Sequence, residues 1–371
     1  MTKKIITSFI SIFFILFFTD NLFAQTKIRR VSEEKKDYRL LKEAQNFFES
    51  GDYAHAISYA EEAKESRILE CNYNTYVLQN IQRHSYVRKA GDYISDLLDV
   101  LKDHSQNEAY NLINFYFEKY GRSTFKNSYS YLLTFIEEHK EYPEADFLLG
   151  KIYRLEGENK LAESYYLRAY ENEKLLDVND VKYEILYELS DLSSYSDDKS
   201  EYEKYLLLIL SESKFYKNDS FMNALVRLVK QNKGENVEKL FIMYRSDEYY
   251  TIKALNLLSI YYLQTNDLDK ALKCACLGSI TGITRIEEIL KDRMIFYKYE
   301  NFSDMLQKAS KYADINRWAN NNGLWNLIFN LGQIAEDSDS RDFSRELFTL
   351  LSENPCENYY QEKAKIKISQ E

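Results

Sequence analysis

The chain reads as an all-α protein, a solenoid of antiparallel helical hairpins. Three observations carry that reading. Small residues recur at fixed spacing: Gly150, Ala162 and Ala169 are separated by 12 and 7 positions, and Ala44, Ala56, Ala63 and Ser259, Ala271, Gly278 repeat those intervals. An aromatic follows each first small residue by three (Phe47, Tyr153, Tyr262), and a turn pair follows by seven and eight (Gly51-Asp52, Gly157-Glu158, Asn266-Asp267). Composition agrees. Two prolines and ten glycines in 371 residues leave few helix breakers, well below ordinary usage, and no sustained period-two alternation argues for strands.

Helix contact explains the spacing. Two antiparallel helices approach to roughly 8–10 Å only where small side chains meet at the crossing. One small residue on each helix sets the interval of 12. The third, two turns farther along the same face, meets another hairpin. The aromatic fills the space between hairpins, and Gly or Asn at the turn tolerates the positive φ that ends a helix.

These residues resemble a tetratricopeptide repeat (TPR), a helical-hairpin unit of roughly 34 residues. The stretch Pro143 to Tyr170 carries the likeness best, through Leu149-Gly150, Tyr153, Ala162, Tyr166 and Ala169. It departs from the family in having Asp146 where a Trp is usual, and no Pro closes the repeat. The first copy has Glu43 in place of a Leu. The resemblance implies a right-handed superhelix in which each repeat packs on its neighbours.

In chain order, Met1 to Ala24 reads as a secretory signal peptide. Lys3 and Lys4 precede an apolar run from Ile5 to Phe18, and Leu22-Phe23-Ala24 offers a small-residue cleavage site before Gln25,. The run is short of the roughly 20 apolar residues that span a bilayer. Retention of the leader as an anchor is the other reading. The first cysteine is Cys71, so no acylation site follows the run. Loss of the leader removes two lysines and one aspartate, leaving the rest one unit more acidic than the −10 of the whole chain. That balance opposes general nucleic-acid binding. Export to a bacterial periplasm or cell surface is expected, with no membrane span after cleavage.

Residues 25–371 are expected to form a single TPR-like α-solenoid of about nine hairpins plus a capping helix. The first hairpin runs from Asp37 to Glu65. Two weaker ones follow, Tyr73 to His104 around Gly91-Asp92 and Glu108 to His139 around Gly121. After the Pro143 hairpin, Val178 to Phe215 folds around SSYSDDKS, where Asp197, Asp198 and Ser200 suit a turn and an N-cap,. Ser220 to Arg245 turns near Gly234, and Ile252 to Gly278 is the third clear copy. Arg285 to Ala313 is expected to turn at Glu300-Asn301 and Asn320 to Leu351 at Asp337-Ser340. Glu357 to Ile368 caps the stack.

No motif points to catalysis, a metal or a cofactor. His55, His84, His104 and His139 show no metal-ligand spacing, and His55 is expected on the surface,. Cys274 and Cys276 point about 200° apart on a helix, and Cys71 and Cys356 lie repeats away, so no internal disulfide is expected. There is no nucleophile elbow, P-loop or dinucleotide glycine fingerprint. The 33 tyrosines are read first as filler between hairpins and second as an amphipathic binding surface,.

The resemblance implies a concave groove lined by the first helix of each hairpin. At the equivalent places stand Phe147, Lys151 and Arg154, then Leu41, Gln45 and Phe48, then Asn256, Ile260 and Leu263. The family's carboxylate clamp uses a Lys/Asn arrangement at these places, and Phe147 departs from it. Lys151 and Arg154 would hold an acidic partner segment. The expectation is therefore a non-catalytic scaffold for a protein or peptide. The alternative is an envelope factor that binds glycan or peptidoglycan in an aromatic groove, where Trp318 and Trp325 would belong.

Overall fold

The three turns named from the sequence close in the same way. Gly51, Gly157 and Asn266 have φ of +81°, +84° and +59°. In each, the next residue's N–H reaches back five positions to a helix carbonyl: Asp52 to Phe47 at 2.9 Å, Glu158 to Tyr153 at 2.9 Å and Asp267 to Tyr262 at 2.8 Å. A second bond runs from the positive-φ residue itself to Phe48, Arg154 or Leu263. This is the Schellman ending, which satisfies carbonyls that a helix C-terminus leaves open. A fourth turn repeats it at Asp339 (φ +61°), with Ser340 N–H bonded to the Ala335 carbonyl at 2.8 Å.

The computed structural model describes residues 30–84, 102, 130, 132–231, 236–354 and 357–370. All of its regular elements are helices; among the described residues there is no strand. No helix among them is long and apolar enough to cross a membrane. The leader, the turns at Gly91-Asp92, Gly121 and Gly234, His104, Cys356 and most of the two weak hairpins after Tyr73 lie outside the described residues.

The chain divides into two compact units, Met1–Asn179 and Asp180–Glu371. In the first, α1 (Asp37–Ser50) and α2 (Tyr53–His84) form one hairpin, and α3 (Pro143–Leu155) and α4 (Asn159–Glu171) form another. The second hairpin packs directly on the first through α2 and α3. Ala44, Ala56, Ala60 and Ala63 share one core with Ala145, Leu149 and Ile152. Residues 30–36 are fastened across α2: the Ser66 hydroxyl donates to the Lys35 carbonyl at 2.5 Å and Lys36 pairs with Glu70 at 2.8 Å.

The second unit holds α5 (Val181–Ser193), α6 (Ser200–Leu210), α7 (Asp219–Lys230), α8 (Asn236–Met243), α9 (Ile252–Gln264) and α10 (Leu268–Arg293). These are followed by α11 (Phe302–Ala309), α12 (Ala313–Asn321), α13 (Leu324–Asp337), α14 (Arg341–Glu353) and α15 (Asn358–Gln370). Three hairpins, α5/α6, α9/α10 and α13/α14, pack in series through α6 on α9 and α10 on α13. The Asp198 carboxylate accepts the Ser200 N–H at 2.9 Å, as a turn and cap should. Helix α15 packs on α14 and α13, at the end where the sequence placed a capping helix.

Helix boundaries differ from the sequence reading at α2, at α10 and at α12, which fills the stretch between Ala313 and Asn320 that was read as the gap between two hairpins. Helix α2 runs unbroken through Tyr73, and α10 runs unbroken through Arg285, where separate hairpins were expected to start. Residues 66–72 contain neither Gly nor Pro, so nothing stops α2 there. In α10, Gly278 and Gly282 serve close approach. A Cβ on either would stand 2.6 Å from Leu327 or 2.3 Å from Leu324 of α13. Helix α10 also receives the short helices α7, α8, α11 and α12, and the Phe241 and Phe302 rings stack between α8 and α11 with centroids 4.5 Å apart. These short helices interrupt the chain between hairpins that nonetheless touch.

Candidate partner-binding face

The small residues place the face. Ala44, Ala56, Ala63, Ala162, Ala169, Ser259 and Ala271 are fully buried, and Gly150 and Gly278 are buried with them. This fixes which side of each first helix looks inward. The position after the small residue and the one three further on lie toward the rim. Gln45 is exposed and Phe48 half-buried against Tyr53, with ring centroids 6.0 Å apart. Lys151 and Arg154 are half-exposed at the same register of α3, and α1 packs on α3. The structure thus brings Gln45, Phe48, Lys151 and Arg154 onto neighbouring helices of one unit.

Phe147 and Leu41 take a different place from the groove lining expected of them. Phe147 is 6% exposed and Leu41 7%. The Phe147 ring lies against Tyr166, 5.8 Å between centroids, and the Lys151 ammonium covers it at 3.9 Å. What this part of α3 presents is cationic, with the aromatic beneath fixing the lysine through its ring face.

In the second unit, Asn256, Ile260 and Leu263 are half-buried on α9. Asn256 accepts from Asn326 of α13 at 3.4 Å, so part of its polar capacity goes to packing between first helices. The fourth turn reveals a fourth set at the same register on α13: Phe329, Gln333 and Glu336. Two of these meet α15. The Phe329 ring faces Tyr360 at 5.9 Å, and Glu336 pairs with Lys367 at 2.7 Å.

Asp146, the departure from the repeat pattern, is fully buried. Lys64 of α2 comes to 2.8 Å from its carboxylate and Arg168 of α4 to 3.4 Å. Burial raises its pKa, and Lys64 and then Arg168 oppose the shift. Both cations also lie over the Tyr165 ring, whose hydroxyl donates to Glu61 at 2.8 Å. An ionic cluster thus stands where the family has an indole. The departure at position 146 was visible in the sequence; its partners, 82 and 22 positions away, were not.

Among the described residues, several tyrosines are tied into packing. Tyr165 bonds Glu61, Tyr183 bonds Glu212, Tyr262 bonds Glu203 and Tyr299 bonds Glu238, each at 2.6 to 2.8 Å. Tyr187 donates to the Tyr250 carbonyl and accepts the Ala254 N–H. Trp325 is 3% exposed and Trp318 half-buried.

His55 is exposed and its Nδ1 lies 2.7 Å from Asp52. His139 Nδ1 donates to the Phe135 carbonyl at 2.7 Å. Among the described residues no cluster of His, Cys, Asp and Glu is placed to hold a metal. Cys71, Cys274 and Cys276 are free and buried, and burial pushes the Cys71 and Cys274 thiols up to about 12. Such thiols are inert at neutral pH.

No protein-family profile matches the chain. An uncharacterized protein of Treponema pallidum is 26% identical over 336 residues, which cover 90% of this chain and 89% of that one. An uncharacterized protein of Borreliella burgdorferi is 22% identical over 234 residues, covering 57% of this chain and 72% of its own.

Proposed function

We propose that the chain is an exported, non-catalytic scaffold whose TPR-like hairpins hold a protein or peptide segment along their first helices. One observation supports this above the others. Helices α1 and α3 begin two hairpins with the same small-residue spacing and pack directly on each other. Gln45, Phe48, Lys151 and Arg154 therefore stand on adjacent helices at equivalent register. A face built this way suits capture of an extended segment or a helix. Lys151 and Arg154 favour acidic residues in it, the arginine through its planar fork. In this reading each unit is a short stack of the right-handed superhelix that TPR hairpins form, and export rests on the leader Met1 to Ala24.

The glycan alternative draws less support, because Trp325 is buried and several tyrosine hydroxyls are spent on glutamates. The test is affinity capture from cells with the full chain and with Lys151→Glu/Arg154→Glu. The double reversal is expected to reduce capture of an otherwise reproducible protein partner at least several-fold, while Ser164→Glu on the exposed side of α4 leaves it unchanged. Equal capture by the wild-type chain and the double reversal contradicts the assignment.

A further inference from the structure

The first-helix face of the second unit is uncharged without being apolar. From Trp318 to Ala335 no residue carries a charge, in a chain of which 29% of the residues are Asp, Glu, Lys or Arg. Helix α9 is likewise uncharged after Lys253. Carboxamides stand at the half-buried positions of this face. Asn326, Asn330 and Gln333 follow one another at intervals of four and three along α13, which makes one stripe of the helix,. Asn256 of α9 lies beside them and accepts from Asn326 at 3.4 Å. Gly323, at φ +63°, makes room for it, since a methyl there would stand 2.9 Å from the Asn256 nitrogen. The side chains of Asn330 and Gln333 hydrogen-bond no other described residue. Asparagine is among the poorer residues for a helix interior, so local folding does not ask for it here.

A carboxamide carries an acceptor oxygen and N–H donors, the same groups as a peptide unit. Asn326 and Asn330 are offset by about 6 Å along the helix axis, four residues at about 1.5 Å each. Two residues of an extended chain span about 6.4–6.8 Å, and alternate residues turn their N–H and C=O to the same edge. The two side chains therefore meet successive main-chain sites on one edge of a strand laid along α13. Ile260 and Leu263 of the adjoining α9 are half-buried and suit apolar side chains of that strand. Other occupants fit less well. An acidic segment or a nucleic acid needs cations, and these stretches of α9 and α13 hold none. A sugar needs a ring face to stack on, and both rings of α13, Trp325 and Phe329, are buried,.

We propose that this face holds an extended, uncharged polypeptide segment by its main chain. Asn326, Asn330 and Gln333 bond the segment's N–H and C=O groups, and Ile260 and Leu263 take its apolar side chains. Such binding rests on the reading that first helices hold a protein segment. It gives the second unit a grip on backbone, where Lys151 and Arg154 of the first unit favour charge. Recognition of this kind tolerates many sequences.

The test uses the full chain and an immobilised library of decapeptides built from Ala, Ser, Thr, Val, Leu and Gln. Binding of a subset with diverse sequences is expected. Methylating alternate main-chain nitrogens of the best binders removes N–H donors and leaves the side chains in place. It should weaken binding several-fold in one of the two alternations, because only one edge of the strand faces α13. Asn330→Leu/Gln333→Met should weaken binding as much without lowering the thermal midpoint, because neither side chain bonds another described residue and both replacements favour helix,. Asn330→Gln should keep binding, and Lys151→Glu/Arg154→Glu, in the other unit, should leave it unchanged. Full binding by Asn330→Leu/Gln333→Met, or by both methylated forms, overturns the proposal. Failure to bind any decapeptide overturns it too, while capture of a partner from cells through Lys151 and Arg154 stands or falls on its own result. Chitin oligosaccharide bound in place of peptide, and lost with Asn330→Leu/Gln333→Met, assigns the face to glycan instead.

Discussion

A methyl group added at Gly150 would stand 2.5 Å from the Tyr166 ring, and one added at Gly332 would stand 2.8 Å from Phe348. Both rings lie sixteen positions after their glycine. At the same interval Ala44 has Ala60 and Ser259 has Ala275, all four fully buried. Two copies thus set a glycine against an aromatic ring, and the other two carry small buried residues at both positions. Gly150→Ala is expected to destabilise the fold by roughly 1–3 kcal/mol through overpacking. Adding Tyr166→Ala should cost less than the two single changes together, because the pair then copies Ala44 and Ala60. Urea denaturation of the three variants measures that coupling, and strict additivity would contradict the pairing.

Titration acts at the same scale. Burial lowers the His139 imidazole below its ordinary 6.5, and the hydrogen bond to the Phe135 carbonyl only partly opposes it. The unfolded chain therefore takes up this proton first as the pH falls. The stabilisation by neutral His139 is present above 6.5 and is lost as the pH drops through the lowered value,. His139→Gln should reduce the loss of stability between about pH 7 and pH 5, measured as the change in urea midpoint. Asp146 works in the opposite sense. Its raised carboxyl binds the proton more tightly in the fold, so its contribution improves as the pH falls through the window above 3.8.

At the scale of elements, the hairpin turn is the best-specified piece. Gly51 and Gly157 hold positive φ at no steric cost, whereas Asn266 and Asp339 hold it with a side chain,. Asn266→Gly and Asp339→Gly should each raise stability by up to about 1 kcal/mol, seen as a higher midpoint in thermal unfolding. The packing register is tested on α4. Ala162 is fully buried and Ser164 exposed, while Glu163 is half-buried. Ala162→Leu should cost roughly 1–3 kcal/mol and Ser164→Leu almost nothing. Three hairpins were legible because a five-point pattern marks both helices and the turn. The hairpin from Asn320 to Leu351 was expected with its turn at Asp337-Ser340, but its register was not marked, because Ala335 and Leu351 replace its aromatic and its last small residue and leave Gly332, Ser344 and the turn as its signal. Helix ends without Gly or Pro were not legible, so α2 and α10 proved longer than their spacing suggested.

For the whole molecule, helical composition and spacing were enough to read an all-helical chain built of hairpins. Spatial order was harder to read. Local periodicity says nothing about which hairpins meet, and α2 meets α3 across 58 intervening residues, 85–142. The candidate face was legible as register positions only. That Phe147 would turn under Lys151 depended on Tyr166, a partner on the following helix. In the proposed function the first helices of the hairpins, with Gln45 and Lys151 on their rim, hold a protein segment. That contact is tested most directly by crosslinking in cells, with photo-reactive groups placed singly at Gln45, Lys151 and Ser164 of the full chain. The same discrete protein adduct is expected from Gln45 and Lys151 and none from Ser164. Identical adducts from all three positions, or wall glycan captured at Lys151, would contradict it.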